Sequence, residues 1–185
     1  MRRAGFVLVG GASSRMGRDK AWLAYRGRTL VEHVASEVLA AAGSATLVGP
    51  ARRYGVLGYP IIPDRIPGCG PLGGIHAALC ATRADWNLVV ACDMPRLDRA
   101  FLAALLEEAE GSAGECLVPR SGLGQPEPLC AAWHRSALAG IGKALEEGVR
   151  KMTDALARFR TVYWPVSQVR SFANANTPQE WANHG

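Results

Sequence analysis

Continuous apolar runs alternate with stretches of helical spacing along most of this chain. The runs at 6–9, 45–48, 59–62 and 88–91 lack a polar residue at every second position, the pattern of parallel strands covered on both faces. Helical periodicity follows most of them. Leu30, Val34, Val38 and Leu39 are expected to share one face, Ile75, Leu79 and Cys80 another, and Phe101, Leu102, Leu105 and Leu106 a third. Asp98 is placed to cap that third helix and Gly111 to stop it. Further short strands are predicted near 116–119, 129–133 and 161–164, with helices between the last two and a final helix after Pro178. Strand–helix alternation of this kind predicts an α/β fold, a three-layer sandwich with a mostly parallel sheet. No repeat, linker or low-complexity tract interrupts it, so residues 1–185 are expected to form a single domain.

Composition narrows the chemistry. At this length roughly 70% of the unfolded surface is expected to be buried, enough for one sheet covered by helices. Hydrophobic residues make up 49% and charged residues 20%, ordinary globular values. The net charge of +5 suits small polyanions such as nucleotides and pyrophosphates. No basic run with interleaved aromatics marks a nucleic-acid surface. Arg2 and Arg3 precede only the short run at 6–9, so neither a signal peptide nor a membrane span is expected. Five cysteines, at 69, 80, 92, 116 and 130, show no Cys-x-x-Cys spacing and read as reduced and cytoplasmic. His33, His76, His134 and His184 are too scattered for a zinc set, so a metal here would be a hard cation held by oxygen.

The densest chemical signal is FVLVGGASSRMGRDK, residues 6–20. An apolar strand runs into Gly10 and Gly11, passes Arg15 and Gly17, and closes on Lys20, the pattern of a phosphate cradle with fixed positive charge at Arg15 and Lys20. It is not a Walker loop: Gly11 and Gly17 enclose five residues, and Arg18, not Lys, follows Gly17. It is not a dinucleotide fingerprint either, because Gly11 is followed by Ala12 with no spaced glycine. A plain strand-to-helix turn would use the same glycines. Against that, Lys20 is one of only three lysines among 21 basic residues, which makes a lysine at the end of the loop conspicuous.

Two aspartates stand just beyond apolar strands. Asp93 follows LVVAC, at the carboxyl end of a central strand where open α/β sheets bind ligands, and a carboxylate there can hold Mg²⁺ against triphosphate oxygens. Asp64 follows YPIIP in the same manner. A turn aspartate before Pro95, or beyond Pro63, would explain the same letters. GPLGG, residues 70–74, would let a helix N-terminus approach a ligand, and a simple helix start with Pro71 in its first turn accounts for it equally well. Asn174 and Asn176, spaced by two, point the same way if their segment is extended.

The segment LVGGASSRMGRDKAWLAYRGRTLVEHV resembles the opening of the molybdenum cofactor guanylyltransferases. PDRIPGCGPLGGIHAAL, ACDMPRL and FANANTPQEW resemble the later blocks of that family, so the resemblance spans nearly the whole chain. It implies the nucleotide-diphospho-sugar transferase fold, Rossmann-like in layout. It also implies transfer of GMP from GTP to the terminal phosphate of molybdopterin with release of pyrophosphate. By the same resemblance Leu8, Val9, Gly10 and Gly11 contact the purine through backbone groups, and Arg15, Lys20 and Asp93 carry the chemistry. Asp64 helps bind GTP, Asp93 binds Mg²⁺, and Asn174 and Asn176 face the pterin. Val9 departs from the family's alanine; it is expected to leave its N–H and C=O available while its branched bulk narrows the pocket, favouring guanine over cytosine. Implied partners are the two substrates and, transiently, other proteins of molybdenum cofactor biosynthesis. Two other readings remain at this point: a cytidylyltransferase or sugar-phosphate nucleotidyltransferase of the same fold, and a non-catalytic nucleotide-binding regulator.

Overall fold

The computed structural model describes residues 1–10, 19–66, 68–121 and 124–166. The four early apolar runs form β1 (Arg3–Leu8), β4 (Thr46–Val48), β5 (Ile61–Ile62) and β6 (Trp86–Ala91), and the later ones β7 (Cys116–Arg120), β8 (Cys130–His134) and β9 (Thr161–Pro165). Between them lie α1 (Leu30–Ala42), α2 (Ala51–Tyr54), α3 (Gly70–Cys80), α4 (Arg99–Gly111), α5 (Ala137–Glu146) and α6 (Met152–Leu156). A small hairpin, β2 (Ala24–Tyr25) with β3 (Arg28–Thr29), leads into α1. The final helix expected after Pro178 lies outside the described residues.

Among the described residues the main sheet has seven strands in the order β5-β4-β1-β6-β8-β7-β9. β8 runs antiparallel to both neighbours, and the remaining pairings are parallel. Alternate strand residues feed opposite faces. Val7, Leu88 and Val90 pack with α1 and α4, whereas Phe6 and Val89 pack with α3, α5 and α6. Helices on both sides explain why every residue of β6 is buried and why its sequence reads as one apolar run.

Helix limits follow local chemistry. Thr29 caps α1 in a reciprocal capping box with Glu32, and Gly43 ends it in the left-handed region at φ 76°. Asp98 caps α4 as expected, accepting from the Phe101 N–H at 2.8 Å, and α4 closes at Gly111. One assignment is corrected. Leu39 is 45% exposed, because nine residues at ~100° each turn it to the side opposite Leu30; Val31, Ala35 and Ala42 complete the buried face instead.

The connections set the position of the site. The chain leaves β1 through α1 on one face to reach β4 and β5, then returns through α3 on the other face to β6, on β1's opposite side. The carboxyl ends of β1 and β6 therefore lie where the winding direction reverses, which is where open α/β sheets bind ligands.

Candidate active site

A cavity of about 980 Å³ opens at that edge. Leu8, Val9, Gly10, Lys20, Asp64 and Asp93, drawn from four separate stretches of sequence, all border it. Gly11, Arg15, Asn174 and Asn176 lie outside the described residues.

The floor is main chain at close quarters. Leu8 C=O accepts from Cys92 N–H at 3.2 Å, and Val9 N–H donates to Val48 C=O at 3.0 Å, so β1 stays laced to both neighbours to its last residue and beyond. This corrects one expectation for Val9: its N–H is engaged by Val48, while its side chain packs into the core at a residue that borders the cavity. A Cβ on Gly49 would stand 2.6 Å from the Val9 carbonyl oxygen and 2.7 Å from Val9 Cγ2, so only glycine admits this approach. Gly10 then turns the chain at φ +88°, a conformation that disfavours side chains.

On the α3 side, Gly73 and Gly74 of GPLGG accommodate protein groups, while Gly70 faces open space. A Cβ on Gly73 would lie 3.1 and 3.2 Å from the two Asp64 carboxylate oxygens, and one on Gly74 would lie 2.9 Å from Leu8 Cδ2. Asp64 also accepts from Ile66 N–H at 3.0 Å, an Asx-type turn that fixes the carboxylate as the chain leaves β5 for α3. Pro71 sits in the first turn of α3.

Lys20 begins a 3₁₀ turn, Lys20–Trp22, capped by Asp19, whose Oδ1 accepts from Ala21 N–H at 3.2 Å. Lys20 Nζ stands 4.0 Å from Asp93 Oδ2, and the two side chains are 13% and 26% exposed. Burial pushes the Asp93 carboxyl above the usual range, while Lys20 and the residue's own backbone N–H pull it back. Its Oδ1 is buried and, among the described residues, has no hydrogen-bond partner. The loop beyond Asp93 is held from α1: His33 Nε2–H donates to the Pro95 carbonyl at 3.0 Å. Burial keeps the pKa of that imidazole below its ordinary value.

Sequence reasoning missed Asp19, Cys92 and Leu129, which also border the cavity. Asp19 carried a weak signal, a capping residue directly before the conspicuous lysine; the other two carried none.

Residues 5–160 match the model of the MobA-like NTP transferase domain, most of the chain. The chain belongs to that family. A probable molybdenum cofactor guanylyltransferase of Pelotomaculum thermopropionicum is 32% identical over 97% of this chain and 90% of its own length. The crystal structure of molybdopterin-guanine dinucleotide biosynthesis protein A from Archaeoglobus fulgidus is 30% identical and matches with a TM-score of 0.85, covering 98% of this chain and 96% of that one. A Mycobacterium tuberculosis H37Rv protein crystallised with manganese shares the fold at 19% identity and a TM-score of 0.68, covering 100% of this chain and 98% of that one. As a MobA-like domain the chain is a nucleotidyltransferase, and the fold expected from its sequence is the one it has. Among the described residues of this MobA-like chain, no helix is long and apolar enough to cross a membrane.

Proposed function

We propose that this chain transfers GMP from GTP to the terminal phosphate of molybdopterin, working as a single domain over residues 1–185 in the cytoplasm. An acceptor phosphate oxygen attacks the α-phosphorus of GTP, the bond from that phosphorus to the bridging oxygen of the β-phosphate breaks, and pyrophosphate leaves with the electron pair. The observation that carries this reading is the meeting of Gly10, Lys20, Asp64 and Asp93 at one cavity, with Asp93 Oδ1 buried and unpartnered among the described residues. Relatives at 30–32% identity that bear the guanylyltransferase and dinucleotide-biosynthesis names support the choice of substrates.

Each residue has a defined task. Lys20 neutralises phosphate charge, and Arg15, with the loop amides from Gly10 and Gly11, holds the triphosphate in line for attack. Leu8 and Val9, which border the cavity at the end of β1, line the place taken by the base. Asp64, braced against α3, contacts the nucleotide from the opposite wall. Asn174 and Asn176 bind the pterin, whose ring edges offer both donors and acceptors. A phosphate monoester is already anionic near neutral pH, so no general base is required.

Asp93 is the residue that would hold Mg²⁺: a hard oxygen donor with an unsatisfied oxygen suits a divalent cation. Among the described residues no three His, Cys, Asp or Glu side chains gather as a metal cage. That fits an ion completed by phosphate oxygens and water, as Mg²⁺ usually is in phosphoryl-transfer sites. When bound, Mg²⁺ supplies electrostatic stabilisation of charge on the transferring phosphoryl group.

Pyrophosphate release, measured with each nucleoside triphosphate plus molybdopterin, tests the reading. GTP should be consumed; consumption of CTP instead, or of neither, would overturn it.

A further inference from the structure

A phosphate-binding lysine acts only if it is held at a fixed place, and one side chain outside the cradle bonds to the residue before Lys20 and lies close to Gly10. Tyr54, the last residue of α2, is fully buried. At the loop's start, a Cβ on Gly10 would lie 3.7 Å from Tyr54 Cε2 and 3.0 Å from Pro50 Cδ, the residue that precedes α2. At the loop's end, the Tyr54 hydroxyl donates to Asp19 Oδ2 at 2.6 Å, a short charge-assisted hydrogen bond. The other oxygen of Asp19 caps the turn that begins with Lys20. The Trp22 ring, two residues beyond Lys20, stacks on Tyr54 with centroids 5.9 Å apart and planes 10° from parallel. The phenol's pKa is held well above its ordinary value by burial and by the Asp19 carboxylate, so it remains a donor across the working pH range. Arg53 adds a longer, exposed contact to the same Asp19 oxygen at 3.4 Å.

We propose that Tyr54 is a positioning residue for nucleotidyl transfer, its hydroxyl setting through Asp19 where Lys20 stands in the site. The inference rests on the reading of Lys20 as the phosphate-binding cation. It adds that this lysine's position depends on the hydrogen bond between its neighbour Asp19 and Tyr54 of α2, and not on the glycines alone. Tyr54→Phe removes the hydroxyl and keeps the ring that fills the core and stacks on Trp22. Displacing a charge-bearing group by ~1 Å can lower rate by about 10²-fold, so Tyr54→Phe should lower kcat/KM for GTP by roughly 10- to 100-fold.

A double-mutant cycle with pyrophosphate release as readout decides it. Lys20→Ala alone should lose roughly 10²- to 10³-fold in turnover, and adding Tyr54→Phe to it should cause little further loss, because the two act as one unit. In Tyr54→Phe the KM for GTP should rise, whereas a preparation that is merely partly unfolded would lose kcat at unchanged KM. Independent, multiplicative losses, an unchanged KM for GTP, or a near-native Tyr54→Phe beside a crippled Lys20→Ala would overturn the positioning role. A near-native Lys20→Ala would instead overturn the reading of Lys20 itself. Should Tyr54→Phe fail to fold, Asp19→Ala breaks the same link from the other side and is held to the same non-additivity with Lys20→Ala.

Discussion

Replacing Asp93 by Asn should make the metal-free protein more stable while abolishing its activity. The carboxylate is three-quarters buried, and one of its oxygens lacks a hydrogen-bond partner among the described residues. A buried, unsatisfied polar group costs about 1–3 kcal/mol. The contact with Lys20 at 4.0 Å is long and partly exposed, and offsets only about 0–1 kcal/mol of that. An amide of the same shape keeps a polar atom at the unpartnered position but sheds the charge, whose burial costs more than that of a neutral group, and loses the ion pair; the net gain is about 1 kcal/mol, or a rise in Tm of about 2–4 °C for a chain of this size. The pH dependence has a definite sign. Burial raises the folded-state pKa of Asp93 above the unfolded value, so the folded protein binds the proton more tightly. The associated stability is full below about pH 4 and is lost as pH rises through the raised folded pKa. The gap in Tm between variant and parent should therefore be small near pH 4 and widen toward neutrality. Thermal melts across that range without divalent cations would measure it, with pyrophosphate release run in parallel. A lower Tm for Asp93→Asn at neutral pH, or a gap indifferent to pH, would refute the argument that burying this charge destabilises the metal-free protein.

Three further outcomes are expected. Lys20→Ala should lower turnover by roughly 10²- to 10³-fold, the range for losing one preorganised electrostatic contact; a near-native rate in the pyrophosphate assay would remove it from the site. Gly49→Ala places a methyl 2.6 Å from a backbone oxygen and should cost about 1–3 kcal/mol by thermal melt, whereas Gly111→Ala, with open space around its added methyl, should not lower Tm. Replacing both Asn174 and Asn176 by Ala should weaken molybdopterin binding while leaving the GTP Kd within about threefold, under ~1 kcal/mol of coupling; calorimetric titration of each ligand separately would expose an equal loss of both.

The central strands were legible because burial on both faces leaves a continuous apolar run, as in β6, and α4 because Asp98 stands at its start as a cap. Asp64 and Asp93 were legible for a related reason: each stands just past an apolar strand, Asp93 beyond the fully buried β6 and Asp64 beyond the half-buried edge strand β5, and both border the cavity at that end of the sheet. The β2–β3 hairpin was not, since its two-residue strands carry no period and its turn puts Arg26, a residue without special turn preference, at φ 47°. Nor was the reversal of β8, because orientation within a covered sheet leaves no mark on residues buried whichever way they run. The Tyr54–Asp19 bond joins residues 35 positions apart, and nothing in either neighbourhood announces the other. Leu39 shows the opposite failure, an apolar residue whose chemistry suggests the core and whose angular position denies it.

The missing side chains of Gly49, Gly73 and Gly74 bear on how this pocket could be remodelled. Each lets a neighbour come closer than an added methyl would comfortably allow: the Val9 carbonyl at Gly49, the Asp64 carboxylate at Gly73 and the Leu8 side chain at Gly74. Much of the cavity's outline is thus drawn by backbone-to-backbone and backbone-to-side-chain spacing, which point substitution cannot adjust in small steps. Libraries aimed at altering base preference should leave these three positions fixed and vary Pro50, Pro71 and Leu129, which border the same space and carry side chains.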